Sequence, residues 1–251
     1  MEKLTKEDLL KAKAILIEKN LFTLQKQLTR QRQIRTFVMS VLVLALIVTT
    51  IYGTLENPLS YTLSNIGNFF DYRVFFIVWA ILTGLAIQSS ILALFRLEKY
   101  HKKAKYTFVL ISVIFLVLTA LTPALKDVYP FWHLLHTLFA GLHALFLLLS
   151  VVPFTNYVAR ENPRLRQTLY TWEVIIWGGA ILTLLIIGKS AIFELWFFVS
   201  MILFLLYLSL VLFEEQIVKT SVGFLKDESD LNDAIETLFI DYDRTEKKLK
   251  D

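Results

Sequence analysis

The chain has 251 residues, 56% of them hydrophobic, with a formal net charge of +4. Its apolar residues are gathered into runs of membrane-spanning length, which excludes an ordinary soluble domain and points to an all-α polytopic membrane protein, since a helix satisfies its backbone groups within its own segment. There is no Cys, so disulfides, thiolate metal sites and a lipid-bearing Cys are excluded, and no Walker, Rossmann or nucleophile-elbow motif or nucleic-acid partner is expected.

The first 35 residues form a basic, helix-favouring arm with 9 Lys or Arg and 4 acidic residues, net +5. Leu10, Ala14, Ile17, Leu21, Leu24 and Leu28 alternate spacings of four and three, an a/d seam that asks for a partner. The first apolar run, Phe37 to Tyr52, follows this charged segment and precedes five more runs, so it is not expected to be a cleaved signal. The others are Val74 to Phe95, Tyr106 to Leu121, Phe131 to Val152, Tyr170 to Ile187 and Leu195 to Phe213. Each is close to the roughly 20 residues that a hydrocarbon core of about 30 Å requires. Pro58, Pro123, Pro130, Pro153 and Pro163 are expected at or outside span ends, where proline costs least.

Between the first two runs lies Thr54 to Tyr72, whose core Pro58-Leu-Ser-Tyr-Thr-Leu-Ser-Asn-Ile-Gly67 alternates turn formers and small polar groups with apolar ones. Such a loop is expected to fold back onto the bundle. The fourth run holds three of the four histidines, His133, His136 and His143, spaced three and seven apart and so on one helical stripe beside Ala140. Imidazoles in lipid need partners, so the stripe is expected to face protein. A ligand-binding site built from His133, His136, His143, Ser64 and Asn65 follows, with His136 docking the Ser64 to Gly67 loop. The alternative is a zinc held by His133 and His136 with Asp71, Asp127 or Glu194, all expected at the same membrane face. The structural reading needs no cofactor.

The Pro58 loop ending in Ser64-Asn65-Ile66-Gly67, a second run opening Val74-Phe75-Phe76, and His136 with Ala140 in the fourth run together resemble the six-helix superfamily that contains the DRAM and FRAG-type proteins and related bacterial membrane proteins. The resemblance covers the six runs and neither arm. It implies a six-span fold and, through some eukaryotic relatives, a link to lipid remodelling or lysosomal membranes. Those relatives usually place an acid where this chain has Asn65, so the resemblance brings no loop carboxylate with it.

In the fifth run Glu173 stands about one turn inside the end, where an ion pair with Arg164 or Arg166 is expected, and Gly178, Gly179 and Ala180 allow close packing. The tail from residue 214 has 6 basic and 11 acidic residues, net −5. In it Leu231, Ile235, Leu238, Tyr242 and Leu249 carry a second heptad row, with Asp230 placed to cap a new helix. Opposite charge and matching rhythm suggest that the two arms pair, within one chain or in a homo-oligomer.

Lys and Arg set the orientation. The segment before the first run and the tail hold 9 and 6, the loops 96–105 and 160–166 hold 5 and 3, and the other three loops hold one each, Arg73, Lys126 and Lys189. The positive-inside rule therefore places both termini in the cytosol of a plasma-membrane protein. Three parts are expected: a basic arm (1–35), six transmembrane helices (36–213) and an acidic tail (214–251). Two functions remain open: a non-enzymatic protein binding a membrane lipid or partner in an outward pocket between the first outer loop and the fourth span, or a metal-dependent hydrolase acting on lipid headgroups.

Overall fold

The computed structural model describes the backbone of residues 6–250 and the side chains of residues 17–227 with a few on either side. Every regular element among the described residues is helical: α1 (Lys6–Gly53), α2 (Leu63–Phe69), α3 (Arg73–Leu97), α4 (Lys103–Leu121), α5 (Pro130–Glu161), α6 (Arg166–Glu173), α7 (Gly179–Ile187) and α8 (Ala191–Lys250). A 3-10 turn at Pro163–Leu165 precedes α6, and a π-helical turn at Val174–Gly178 joins α6 to α7. Among the described residues six helices are long and apolar enough to cross a membrane: α1, α3, α4, α5, the α6–α7 stack and α8. The protein is a multi-pass, all-helical membrane protein.

The chain divides into two compact units, Arg35–Leu212 and the pair of segments Met1–Ile34 with Phe213–Asp251. Within Arg35–Leu212 the sixth span is the most enclosed and the fifth the least. Aromatic rings knit α1, α3, α5 and α8 together. Tyr52 stacks on Trp79 at 5.5 Å, Trp79 meets Phe198 edge-on at 5.0 Å, and Phe198 stacks on His143 at 5.9 Å. The Trp79 indole N–H donates to Thr49 Oγ1 at 3.1 Å, so this buried ring is also satisfied. At the opposite end Phe95, Tyr100 and Phe154 form a second cluster, with centroids 4.7 to 5.4 Å apart. Tyr100 is 2% exposed, and burial pushes its phenol up from the ordinary value.

Four of the prolines stand in loops or first helical turns, but Pro153 lies inside α5. The expectation that it marks a span end is therefore corrected, and the reason is Lys105. A proline at 153 has no N–H for the carbonyl of Leu149 one turn earlier. Lys105 Nζ donates to that oxygen at 2.9 Å, while Ser150 Oγ donates to Lys105 O at 3.1 Å. A cation from α4 thus replaces the missing backbone donor, and the helix continues.

Glycine matters most at 179. A side chain there would run into the Trp196 ring, whose indole N–H donates to Ile175 O in the π-helical turn at 2.8 Å. Close approach of α7 and α8 is therefore what Gly179 provides, while a Cβ at Gly178 would meet only Val174, at 3.7 Å.

In the other unit the two segments lie side by side. Gln31 Nε2 donates to Thr220 Oγ1 at 3.4 Å, and a cleft of about 330 Å³ opens between Ile17, Asn20 and Leu24 on one side and Gly223, Phe224 and Asp227 on the other. Pairing of the segments is seen here, nearer the spans than the tail heptads suggest. The side chains of Leu10, Leu231, Ile235, Leu238, Tyr242 and Leu249 lie outside the described residues. No new helix starts at Asp230, because α8 runs through it unbroken.

Lys105→Met should lower unfolding stability in detergent by about 1 to 3 kcal/mol by stranding the Leu149 carbonyl. In a Pro153→Ala background, where residue 153 regains an N–H, the same change should cost much less. A double-mutant cycle measures the difference, and additive costs would show that Lys105 does not stand in for the proline.

Candidate functional site

The 54–72 segment does fold back, and its anchor is the start of α8. The first N–H groups of a helix have no partner in their own helix. Here Ala191 N donates to Tyr61 O at 2.6 Å and Ile192 N to Pro58 O at 3.2 Å. One turn on, Glu194 Oε2 accepts from Leu63 N at 2.6 Å, an acid placed where the helix macrodipole favours it. From the far side the Tyr52 hydroxyl donates to Leu63 O at 2.8 Å. Both polar backbone groups of Leu63 are thereby held by side chains from the first and last spans.

The Ser-Asn-Ile-Gly stretch is a capped helical turn. Thr62 is the N-cap of α2, accepting from Asn65 N at 3.1 Å, and its hydroxyl pairs with Ser64 Oγ at 2.9 Å. Gly67 is where α2 meets the bundle: a Cβ there would fall 2.7 Å from Phe76 Cβ and 3.0 Å from the Tyr52 hydroxyl. Asn68 then turns its amide N–H to Ser64 O at 2.6 Å and its oxygen to Arg73.

The histidines face protein, though their partners are on α4 and its exit. His133 Nδ1 meets Ala124 O at 2.9 Å; His136 Nδ1 meets Thr119 O at 2.9 Å and Thr122 O at 3.1 Å; His143 Nδ1 meets Ser112 O at 2.9 Å. A carbonyl can only accept, so each Nδ1 carries a hydrogen and the other ring nitrogen, Nε2, is left without a backbone partner. The residue numbers fall on α4 as they rise on α5, so the three rings fasten an antiparallel hairpin rung by rung. Ser112 closes the deepest rung by donating its hydroxyl to His143 O at 3.0 Å. Among the described residues His143 Nε2 is buried with no hydrogen-bond partner.

Three expectations need correcting. His136 does not dock the Ser64 to Gly67 loop; Glu194 and Tyr52 do, because the unpaired backbone groups lie at Leu63 and at the α8 N-terminus. The candidate metal ligands do not converge: Glu194 is committed to Leu63, Asp71 and Asp127 are exposed, and among the described residues no three His, Asp or Glu could hold a metal together. Glu173 meets Trp177, one turn along its own helix, with indole Nε1 donating to Oε2 at 2.5 Å. Among the described residues no ion pair joins it to Arg164 or Arg166. The indole is the nearer donor and spares the carboxylate a reach toward the helix end.

Arg73, which entered the sequence reading only as a topology marker, is the group that stands out. Its guanidinium donates to Asn68 Oδ1 and to Leu121 O, both at 2.5 Å. Both acceptors are neutral, two of the five guanidinium donors are used, and among the described residues no carboxylate pairs with it. Exposed aromatic side chains stand at the same end of the spans, among them Phe69, Phe75, Tyr129, Phe131 and Trp132. A lone Arg opening an apolar run was the available sequence signal.

No family model, no curated protein and no solved structure matches this chain.

Glu194→Ala should free the loop. Hydrogen exchange at 59–67 should rise by the factor that a loss of about 1 to 3 kcal/mol implies, while His136→Ala should leave those amides unchanged and loosen 119–124. The reverse pattern would return the loop to His136.

Proposed function

We propose that this chain is a non-enzymatic plasma-membrane protein, both termini cytosolic, that binds the phosphate of an outer-leaflet lipid headgroup at Arg73. The observation that carries this is a partly exposed guanidinium at a span end whose protein partners, Asn68 Oδ1 and Leu121 O, are both neutral. A planar fork with unused donors suits a phosphate, and in a partly dry setting an uncompensated cation favours an anion. The aromatic side chains around it are of the type that settles at headgroup level. Binding is favoured over catalysis because the candidate acid-base and ligand groups at this end do not converge: Glu194 is held by the Leu63 N–H, and among the described residues no three His, Asp or Glu could hold a metal together. The resemblance to a six-span family with members linked to lipid remodelling agrees with a lipid ligand.

Wild type purified in mild detergent should retain phospholipid in native mass spectrometry. Arg73→Gln should lose most of it, and Arg73→Lys, a point charge without a fork, should retain an intermediate amount. Asn68→Ala removes one of the bonds to Arg73 while keeping the charge, so it should keep the lipid. Equal lipid in wild type and Arg73→Gln would remove Arg73 as the binding group.

A further inference from the structure

Arg73 opens α3 and Arg96 closes it, and the end of the spans near Arg96 carries a charged surface that the proposed function leaves unused. There the α3–α4 loop and its flanks present Arg96, Lys99, Lys102 and Lys103, all exposed. The connection from α5 to α6 presents Arg160, Arg164 and Arg166, also exposed. Packing joins the two. The Tyr100 ring lies 5.1 Å from that of Tyr157, and the Tyr157 hydroxyl donates to Glu98 O at 3.2 Å. Arg160 lies three residues past Tyr157 and so on the same face of α5, which places it along the seam with Lys99. Among the described residues none of these seven cations makes an ion pair, and Glu98 and Glu161 are the two acids of the connecting segments.

Two placements run against local stability. Lys99 ends α3 at φ 52, in a left-handed turn where Tyr100 N donates to Phe95 O at 2.8 Å and the two rings pack at 5.0 Å. Glycine takes such a position without strain, and lysine does not. Lys102 and Lys103 begin α4, where the macrodipole favours negative charge, yet the first turn has no acid and no side-chain cap. A bias that merely keeps positive charge on one side of the membrane asks for neither placement. An anion held at the seam gives a reason for both.

We propose that this face binds an anionic lipid whose headgroup carries two phosphates, one against each cluster of cations. Arg96 stands in the last turn of α3 and Arg160 in the last turn of α5, which is headgroup level, so lipid meets them where a water-soluble partner would first have to displace it. Two joined clusters suit two linked phosphates, because seating the first holds the second at high local concentration. Each guanidinium can grip a phosphate through two parallel hydrogen bonds, and basic surface between spans is a setting in which such headgroups are held.

The site is independent of Arg73, and its test keeps the two apart. Full-length protein in mild detergent is offered diphosphatidylglycerol together with phosphatidylglycerol at twice the concentration, so that phosphate is matched, and bound lipid is read by native mass spectrometry. Wild type should retain diphosphatidylglycerol several-fold over phosphatidylglycerol. Lys99→Gly removes one cation and relieves the left-handed turn, so it should unfold at the same or a higher temperature yet retain several-fold less of the two-phosphate lipid. Arg160→Gln combined with Arg164→Gln should lose it to a similar extent, while Arg73→Gln should retain it as wild type does. Equal retention of the two lipids would mean charge without a site and overturns the proposal. Unchanged retention in both loop variants overturns it too, and so does loss confined to Arg73→Gln, which would move the binding to the other end of the spans.

Discussion

Leu63 is held from both sides, its N–H by Glu194 and its carbonyl by Tyr52, and that clasp shows the constraint under which the whole membrane unit is built. Lipid offers no hydrogen bonds, so every backbone group released at a turn, a cap or a proline must find a partner within the protein. The first turn of α8 takes loop carbonyls, the exit of α4 takes imidazole and guanidinium donors, and the Leu149 carbonyl takes a lysine. In the last two cases a polar side chain serves a peptide group first.

That ordering explains why the histidine stripe is a poor guide to chemistry. Three imidazoles on one face, near carboxylates in sequence-predicted depth, make a plausible ligand set until the carboxylates are placed: Glu194 is held by Leu63, and among the described residues no three such groups converge. Ala124, Thr119, Thr122 and Ser112 each offer a carbonyl to an Nδ1, and the rings close a hairpin. Arg73 differs because its two partners leave its charge uncompensated, and charge is what a ligand can still satisfy.

Much of the architecture was legible in the chain. Run lengths, loop composition and four of the five prolines follow from local physics, since the cost of a polar group in lipid or of a proline in a helix is felt where it occurs. What escaped were pairings between distant residues. Nothing near Pro153 announces that Lys105 will supply its missing donor, and nothing near Leu63 points to Glu194, 131 positions away. Ser64-Asn65-Ile66-Gly67 was visible as a distinctive stretch, but its roles as a capped turn and a close-approach glycine depend on Thr62, Tyr52 and Phe76. Glu173 shows the opposite error: a distant arginine was sought where Trp177, four residues on, donates to Oε2, while among the described residues Oε1 stays buried without a hydrogen-bond partner.

The central claim is that polar side chains of the membrane unit are directed inward to peptide groups, and the tautomer of the histidines tests it most directly. Nitrogen-15 NMR of the imidazoles in selectively labelled protein distinguishes a protonated Nδ1 from a protonated Nε2. The account requires His133, His136 and His143 to carry a hydrogen on Nδ1, with His101, exposed in its loop, as the internal reference. An unprotonated Nδ1 at His136 or His143 would contradict it, because that nitrogen could then not donate to a carbonyl of α4.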